Sequence, residues 1–295
     1  MENKDLKTTK LTCWICSSTK LKLFRKSNIP MNLTSKNFAI TDYAYGCTAE
    51  IHECVDCGFM QCSYMKEVQN YYKDLIDEDY ENTKNTRRIQ MKKILEKIKK
   101  IKPSGYLLDV GAGNGTLVEE AIKMGYIAEG IEPSNWLYNK AKEHELPITL
   151  GTINDFKPTI QYDIITLIDV IEHISNPMET IEKISRLVKK DGVVITVTPD
   201  TGSIAAALLG RNWWHYRIAH IGYFNKTTLN KAFEINGLKL IKTCRPLWYF
   251  TGDYLTKRIN KYLPGFLQLP TNLFLTDVVI PLNLGDSILG IYTPK

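Results

Sequence analysis

A chain of 295 residues has room for one large domain or two smaller ones. Its 44% hydrophobic and 24% charged residues are ordinary for a globular protein, and a net charge of +6 permits an acidic partner without demanding one. No run approaches the roughly 18 apolar residues of a membrane span, and the charged first ten residues lack the apolar core of a signal peptide, so a cytoplasmic protein is expected.

Six of the seven cysteines fall in the first 62 residues. In a reducing compartment such clustering points to metal rather than disulfides. Cys13-x-x-Cys16 and Cys54-x-x-Cys57 can supply four thiolates to one tetrahedral zinc, and Gly58 suits the turn after the second pair. Four thiolates close the coordination sphere, so the expected role is structural. Cys47, Cys62 and His52 are substitutes within the set, and buried free cysteines are the plain alternative. This module is expected over residues 1–66.

Residues 67–102 read as a basic helical linker or cap. Met91, Ile94, Leu95, Ile98 and Ile101 form a helical stripe, with lysines opposite. Pro103-Ser104-Gly105 ends that helix. Leu107-Leu108-Asp109-Val110 is then a buried strand that runs into Gly111, Gly113 and Gly115 and at once into a helical pattern. Thr116 stands where a dinucleotide fingerprint needs its last glycine, and no Gly-Lys-Ser/Thr follows. The turn therefore suits a nucleoside without a pyrophosphate. Further strands are expected at Tyr126–Glu132, Ile148–Leu150, Tyr162–Ile168 and Val193–Val197, alternating with helices as a doubly wound sheet requires. Residues 198–224 read as a loop-helix insertion rich in aromatics (Trp213, Trp214, Tyr216, Tyr223, Phe224). A helix is expected at Thr227–Asn236, closed by Gly237, then a strand at Leu238–Thr243. Residues 246–286, with Pro264, Pro270 and Pro281, read as irregular, and Ser287–Tyr292 as a last strand.

The glycine turn, the carboxylate at Glu132 and the run Asp169-Val170-Ile171-Glu172-His173-Ile174 together resemble the class I S-adenosylmethionine (SAM)-dependent methyltransferases. The D-x-x-E-H run is similar to that of their small-molecule branch. The resemblance covers roughly residues 85–245 and implies an α/β, Rossmann-like sheet. With it go a domain over 103–295 and substrate-lid insertions at about 198–224 and 245–286. The cysteine module resembles the N-terminal zinc-binding domain of some bacterial sugar C-methyltransferases and related glycan-cluster enzymes, with Cys57-Gly58-Phe59 and Tyr71-Tyr72 extending the match.

The resemblance implies SAM as methyl donor. Glu132 would grip the ribose diol and Asp155 the adenine amine. Gly111, Gly113 and Gly115 would admit the donor, and Asp109 would hold the turn or reach the methionine ammonium. Asp169 joins the donor set at the carboxyl edge of the sheet. His173 is the favoured general base, with a bracing role as its alternative, and Glu172 orients it. His220, in an H-x-x-x-F run, is the second base candidate, and a structural role is open there too. Tyr71 and Tyr72 either close over the donor or simply pack. No Asn-Pro-Pro-Tyr follows the fourth strand and no cysteine lies between Cys62 and Cys244, which disfavours methylation of base amines and of cytosine carbon. Oxygen methylation of a sugar, glycan precursor or other hydroxylated metabolite is expected, with carbon methylation next. The rivals are an RNA methyltransferase, for which Lys92, Lys93, Lys97, Lys99, Lys100 and Lys102 make a basic run, and a non-catalytic SAM-binding scaffold.

Overall fold

The computed structural model describes residues 11–30, 33–39, 46–65, 71, 73, 75–270 and 278–295. Three short strands come first: β1 (Leu21–Arg25), β2 (Ile51–Cys54) and β3 (Met60–Gln61). A five-residue helix, α1 (Glu78–Asn82), leads into α2 (Lys84–Lys99). Strands and helices then alternate as β4 (Tyr106–Val110), α3 (Thr116–Lys123), β5 (Ile127–Glu132), α4 (Asn135–Lys142) and β6 (Ile148–Leu150). They continue through β7 (Tyr162–Ile168), α5 (Pro177–Leu187) and β8 (Val188–Pro199). Beyond β8 lie α6 (Ile204–Leu209), β9 (Gly222–Tyr223), α7 (Lys226–Ile235) and β10 (Leu238–Cys244). The chain finishes with β11 (Trp248–Thr251), α8 (Gly252–Asn260), β12 (Val279–Leu282) and β13 (Ser287–Pro294).

The main sheet has seven strands in the order β10-β13-β8-β7-β4-β5-β6. The pairings from β6 across to β8 are parallel, and β13 slots antiparallel between β8 and β10. Neighbouring residues on a strand face opposite sides, and the two cores divide on that rule. Leu107, Ile164, Ile195 and Ile291 pack with Ile94, Leu95 and Ile98 of α2 and with Leu117, Val118 and Ala121 of α3. Leu108, Ile165, Val194 and Tyr292 pack on the other face with Phe224, Leu229 and Phe233. Each fully buried Leu or Ile contributes about 1.5–3 kcal/mol relative to exposure. Local signals agree with these ends: Pro177 starts α5, and Asn225 with Thr228 forms a capping box on α7. The strand order reverses at β4, which has β5 on one side and β7 on the other. A cleft opens at the carboxyl ends of strands at such a switch point.

The cysteine-bearing segment is built into this domain. Its sheet runs β1-β2-β3-β9, so the fourth strand comes from the insertion after β8. Cys13, Ile15, Cys54 and Phe59 share the core that holds Leu108 and Ile165. Buried Gln61 fastens the joint: its side chain accepts from Trp14 N at 2.8 Å and donates to Thr12 O at 2.8 Å, while its backbone pairs with Gly222.

One expectation changes. Residues 246–286 are not wholly irregular, because β11 and β12 form an antiparallel pair with α8 following the first strand. Pro281 is tolerated there because a two-stranded ribbon consists of edges, where a missing N–H need not cost a ladder bond. The aromatics of the 198–224 insertion are mainly core: Trp213, Tyr216, Tyr223 and Phe224 are buried, the first three with Phe38, Ile51 and Cys62. Tyr71 stacks on Phe38, with ring centroids 4.3 Å apart, so it packs; Tyr72 lies outside the described residues.

Candidate active site

β4 delivers Asp109 and then the glycine turn to the cleft, where Gly111, Gly113 and Gly115 all have positive φ. Gly113 (φ +58) needs to be glycine on two counts: the left-handed backbone, and the hydroxyl of Tyr80, which lies 2.6 Å from where a Cβ would stand. Its N–H donates to Glu132 Oε2 at 2.8 Å, and Ser134 N–H donates to the other carboxylate oxygen at 2.8 Å. The ends of β4 and β5 are thus tied through one side chain. Burial pushes the Glu132 carboxyl up to about 7. Burial also pushes Asp109 up to about 7, although its hydrogen bond from Thr166 Oγ1 at 2.6 Å works the other way. A cavity of about 50 Å³ lies beside them, lined among others by Tyr80, Arg87, Met91, Asp109, Gly111 and Asn114. Asp155 stands apart and exposed after β6. It accepts from Thr152 Oγ1 at 2.6 Å, and that bond holds its carboxyl below the usual range.

The D-x-x-E-H run leaves β7 on the other side of the switch point. Asp169 is exposed, with φ +54, and its N–H donates to Val197 O at 2.9 Å. Ile171–His173 is a single 3-10 turn. Glu172 is 2% exposed and accepts from Thr198 Oγ1 at 3.0 Å. Its Oε1 has no hydrogen-bond partner among the described residues, and burial raises its carboxyl well above the ordinary range. His173 Nδ1 donates to Ala219 O at 2.7 Å, which places the ring's lone pair on Nε2. His220 Nδ1 likewise donates to His215 O at 2.9 Å. Burial pushes His173 down to about 4 and His220 well down, so both rings are neutral at pH 7. The polar atoms of Glu172, His173 and His220 lie within 4.8 Å of one another. His215 is itself anchored: its Nε2 lies 3.0 Å from Asp286 Oδ2, which also accepts from Trp214 Nε1 at 2.8 Å.

The two cysteine pairs meet. Cys13 and Cys57 place their Sγ atoms 3.5 Å apart, Cys16 and Cys54 3.6 Å apart, and all four sulfurs lie within 4.8 Å. The knuckles are built alike. Each ends in a residue at positive φ, Ser17 or Gly58, whose N–H returns to the first cysteine's carbonyl at 2.9 and 2.8 Å respectively.

The fold brings Asp109, Glu132 and the glycine turn together in one place, and Glu172, His173 and His220 in another nearby on the same sheet edge. Sequence reasoning missed Tyr80, Arg87, Thr198, His215 and Asp286. The first two precede the domain's strand pattern, and the last precedes a strand that pairs out of chain order, so no local signal marked them.

The strand order and this cleft define a Rossmann-like class I methyltransferase fold. The chain belongs to the methyltransferase-domain family, whose model matches residues 83–243. A ubiquinone biosynthesis O-methyltransferase of Rhodopseudomonas palustris (strain HaA2) is 30% identical over 122 residues, covering 39% of this chain and 44% of that protein. One from Glaesserella parasuis serovar 5 (strain SH0165) is 32% identical over 104 residues, covering 31% and 44%. The chain thus spans less than half the length of these curated relatives. A magnesium protoporphyrin IX methyltransferase from Synechocystis PCC 6803, solved with bound SAH, shares the fold: TM-score 0.50, 11% identity, 76% of this chain and 91% of that one.

Proposed function

We propose that this chain transfers a methyl group from SAM to a hydroxyl of a small molecule: a sugar, a glycan precursor or another hydroxylated metabolite. The observation that carries the reading is the junction of the glycine turn with a buried carboxylate at the switch point, Gly113 N–H to Glu132. SAM supplies an electrophilic methyl on its sulfonium. Glu132, ionised, accepts the ribose hydroxyls, and its burial strengthens those bonds. Asp109 lines the same cleft and suits the cationic amino-acid end; in this reading Asp155, exposed after β6, serves the adenine, and Asp169, exposed after β7, the donor's outer edge. In-line displacement requires the acceptor oxygen to be aligned and to lose its proton. His173 Nε2 takes that proton, because Ala219 fixes the Nδ1–H tautomer. His220 presents the same kind of lone pair and is the second candidate. Glu172, held by Thr198, braces the pair. The relatives named for ubiquinone biosynthesis O-methylation support oxygen as the nucleophile.

In this reading residues 1–66 form a zinc-binding module, 67–102 a cap and 103–295 the catalytic domain, with β9 completing the module's sheet. The sulfur separations of 3.5 and 3.6 Å, with none above 4.8 Å, fit a tetrahedron of Zn–S bonds of about 2.3 Å, whose edges are about 3.8 Å. Cys13, Cys16, Cys54 and Cys57 would leave zinc no open position, so its role is structural.

Calorimetry with SAM tests the donor site. Gly113→Val and Glu132→Ala should each lose binding, the second by about 2–4 kcal/mol for two charge-assisted hydrogen bonds. Unchanged affinity in both overturns the assignment. SAM consumption over nucleotide sugars, glycan precursors and small phenols then identifies the acceptor.

A further inference from the structure

α2 borders two separate hollows. Toward its start, Arg87 and Met91 line the cavity at the glycine turn. From Lys93 onward it lines a second cavity, of about 540 Å³, together with Met124 at the end of α3 and the segment from Pro246 to Tyr249. Small-molecule sites run to about 300–1,000 Å³. The second cavity lies within that range, whereas the one at the glycine turn holds about 50 Å³. Among the described residues the two share no lining side chain.

The second cavity is amphipathic. Ile94, Met124, Pro246, Leu247 and Tyr249 give it an apolar floor, and Leu247 is 43% exposed. Lys93, Lys97, Lys99 and Lys100 stand around that floor with one carboxylate, Glu96, which pairs with Lys93 at 2.9 Å. Lys97 Nζ lies 3.8 Å from Cys244 Sγ, and Lys99 Nζ donates to Met124 O at 2.9 Å. Among the described residues Lys97, Lys99 and Lys100 form no ion pair. Lysines in a last helical turn suit the helix dipole, which accounts for their sign. It does not account for their standing around an apolar hollow. Lys93 and Lys97 are spaced i,i+4, and Lys97 and Lys100 i,i+3; like charges at those spacings repel unless an anion stands among them.

We propose that this cavity binds an amphipathic phosphate monoester, with its hydrocarbon on the apolar floor and its phosphate among Lys97, Lys99 and Lys100. The site is independent of the assignment of the other cavity to SAM. A phosphate monoester carries a charge of about −1.5 to −2 at pH 7, which answers several ammoniums at once. A carboxylate carries one charge and is held best by the fork of arginine, a residue missing from the lining among the described residues. Lysine binds phosphate as a point charge. The ligand needs a hydrocarbon body because free phosphate would leave the apolar floor in water.

Calorimetry on the full chain tests the site with butyl, hexyl and octyl phosphate, inorganic phosphate and octyl glucoside. Octyl phosphate should bind most tightly. Affinity should rise at least about twofold per added CH₂, against about fourfold for complete burial. The double variant Lys97→Gln/Lys100→Gln should weaken octyl phosphate about 3- to 30-fold and leave octyl glucoside unchanged. Leu247→Ser should weaken octyl phosphate about fivefold and leave inorganic phosphate unchanged. These three side chains are exposed, so the variants should fold. Lys239→Gln, on β10 and outside the lining, is the control and should change nothing. Affinity flat with chain length, or an equal loss in Lys239→Gln, overturns the site and leaves unspecific surface charge. Octyl glucoside binding as tightly as octyl phosphate overturns the phosphate. Phosphatidate vesicles that displace octyl phosphate place the monoester in a membrane, and vesicles that do not displace it leave a soluble ester; both results support the site. A single-stranded RNA that binds more tightly than octyl phosphate, and depends on the lysines but not on Leu247, makes this a nucleic-acid surface and overturns the proposal.

Discussion

Gly113→Ala makes a quantitative test of how the cleft is packed, and it needs no substrate. The backbone at Gly113 has φ +58, where an L side chain costs about 1–2 kcal/mol. The new methyl would also sit 2.6 Å from Tyr80 Oη, closer than real contacts allow, so Tyr80 must give way. Displacing a partly buried tyrosine from its place loses up to about 2 kcal/mol more. The internal reference is Gly237→Ala. That residue has φ +76 just past the end of α7, with nothing within 4 Å of the added Cβ, so it reports backbone strain alone. Urea unfolding should therefore give about 1–2 kcal/mol for Gly237→Ala and about 2–4 kcal/mol for Gly113→Ala at equal m-values. In a Tyr80→Ala background the cost of Gly113→Ala should fall to that of Gly237→Ala, because the two sites couple only through the clash. Equal costs at Gly113 and Gly237 in the wild-type background would show that Tyr80 is not wedged against the turn.

Elemental analysis of protein purified under reducing conditions should find one zinc per chain, lost with stability in Cys54→Ser; an intact metal-free fold would contradict the four-thiolate reading. His173→Ala should keep S-adenosylhomocysteine binding and lose turnover about 10²–10⁴-fold, while a larger loss in His220→Ala would move the base there. Because the folded Glu132 carboxyl titrates near 7, above the usual range near 4.5, its contribution to stability is full below about pH 4.5 and is lost as pH rises through about 7. Ribose hydroxyls instead need the ionised form, so S-adenosylhomocysteine should bind more tightly as pH rises toward 7 and release a proton near pH 6. Calorimetry in buffers of different ionisation enthalpy reads that proton, and its absence would show that Glu132 already binds as an anion.

The central strands of the main sheet were legible because they are short apolar runs buried on both faces, and Leu107 and Leu108 do go to opposite cores. The glycine turn and each cysteine pair rest on spacing within a few residues, and Glu132 on its place at the end of the strand after that turn. What escaped depends on pairing across the chain. β9 has only two residues, too few for any periodicity, yet it completes the cysteine module's sheet. The prolines of 246–286 concealed a ribbon whose edge tolerates Pro281. Tyr80 and Arg87 are unremarkable in sequence, and their meaning comes from what Gly113 leaves uncovered.

The pairing of β3 with β9 joins the cysteine-bearing segment to the His220 loop. Gln61 holds the first knuckle through Trp14 and Thr12, and pairs with Gly222, two residues beyond His220. Cys62 N–H takes the carbonyl of Ile221 at 2.8 Å. A metal seated on the four sulfurs therefore restrains the peptide that aims the His220 ring, and linkage runs both ways. An acceptor that orders the His220 loop would then raise the affinity for the metal by the same free energy with which the metal favours that order. Chelators would then act as apparent inhibitors without approaching the cleft, and saturating acceptor would protect the protein against them.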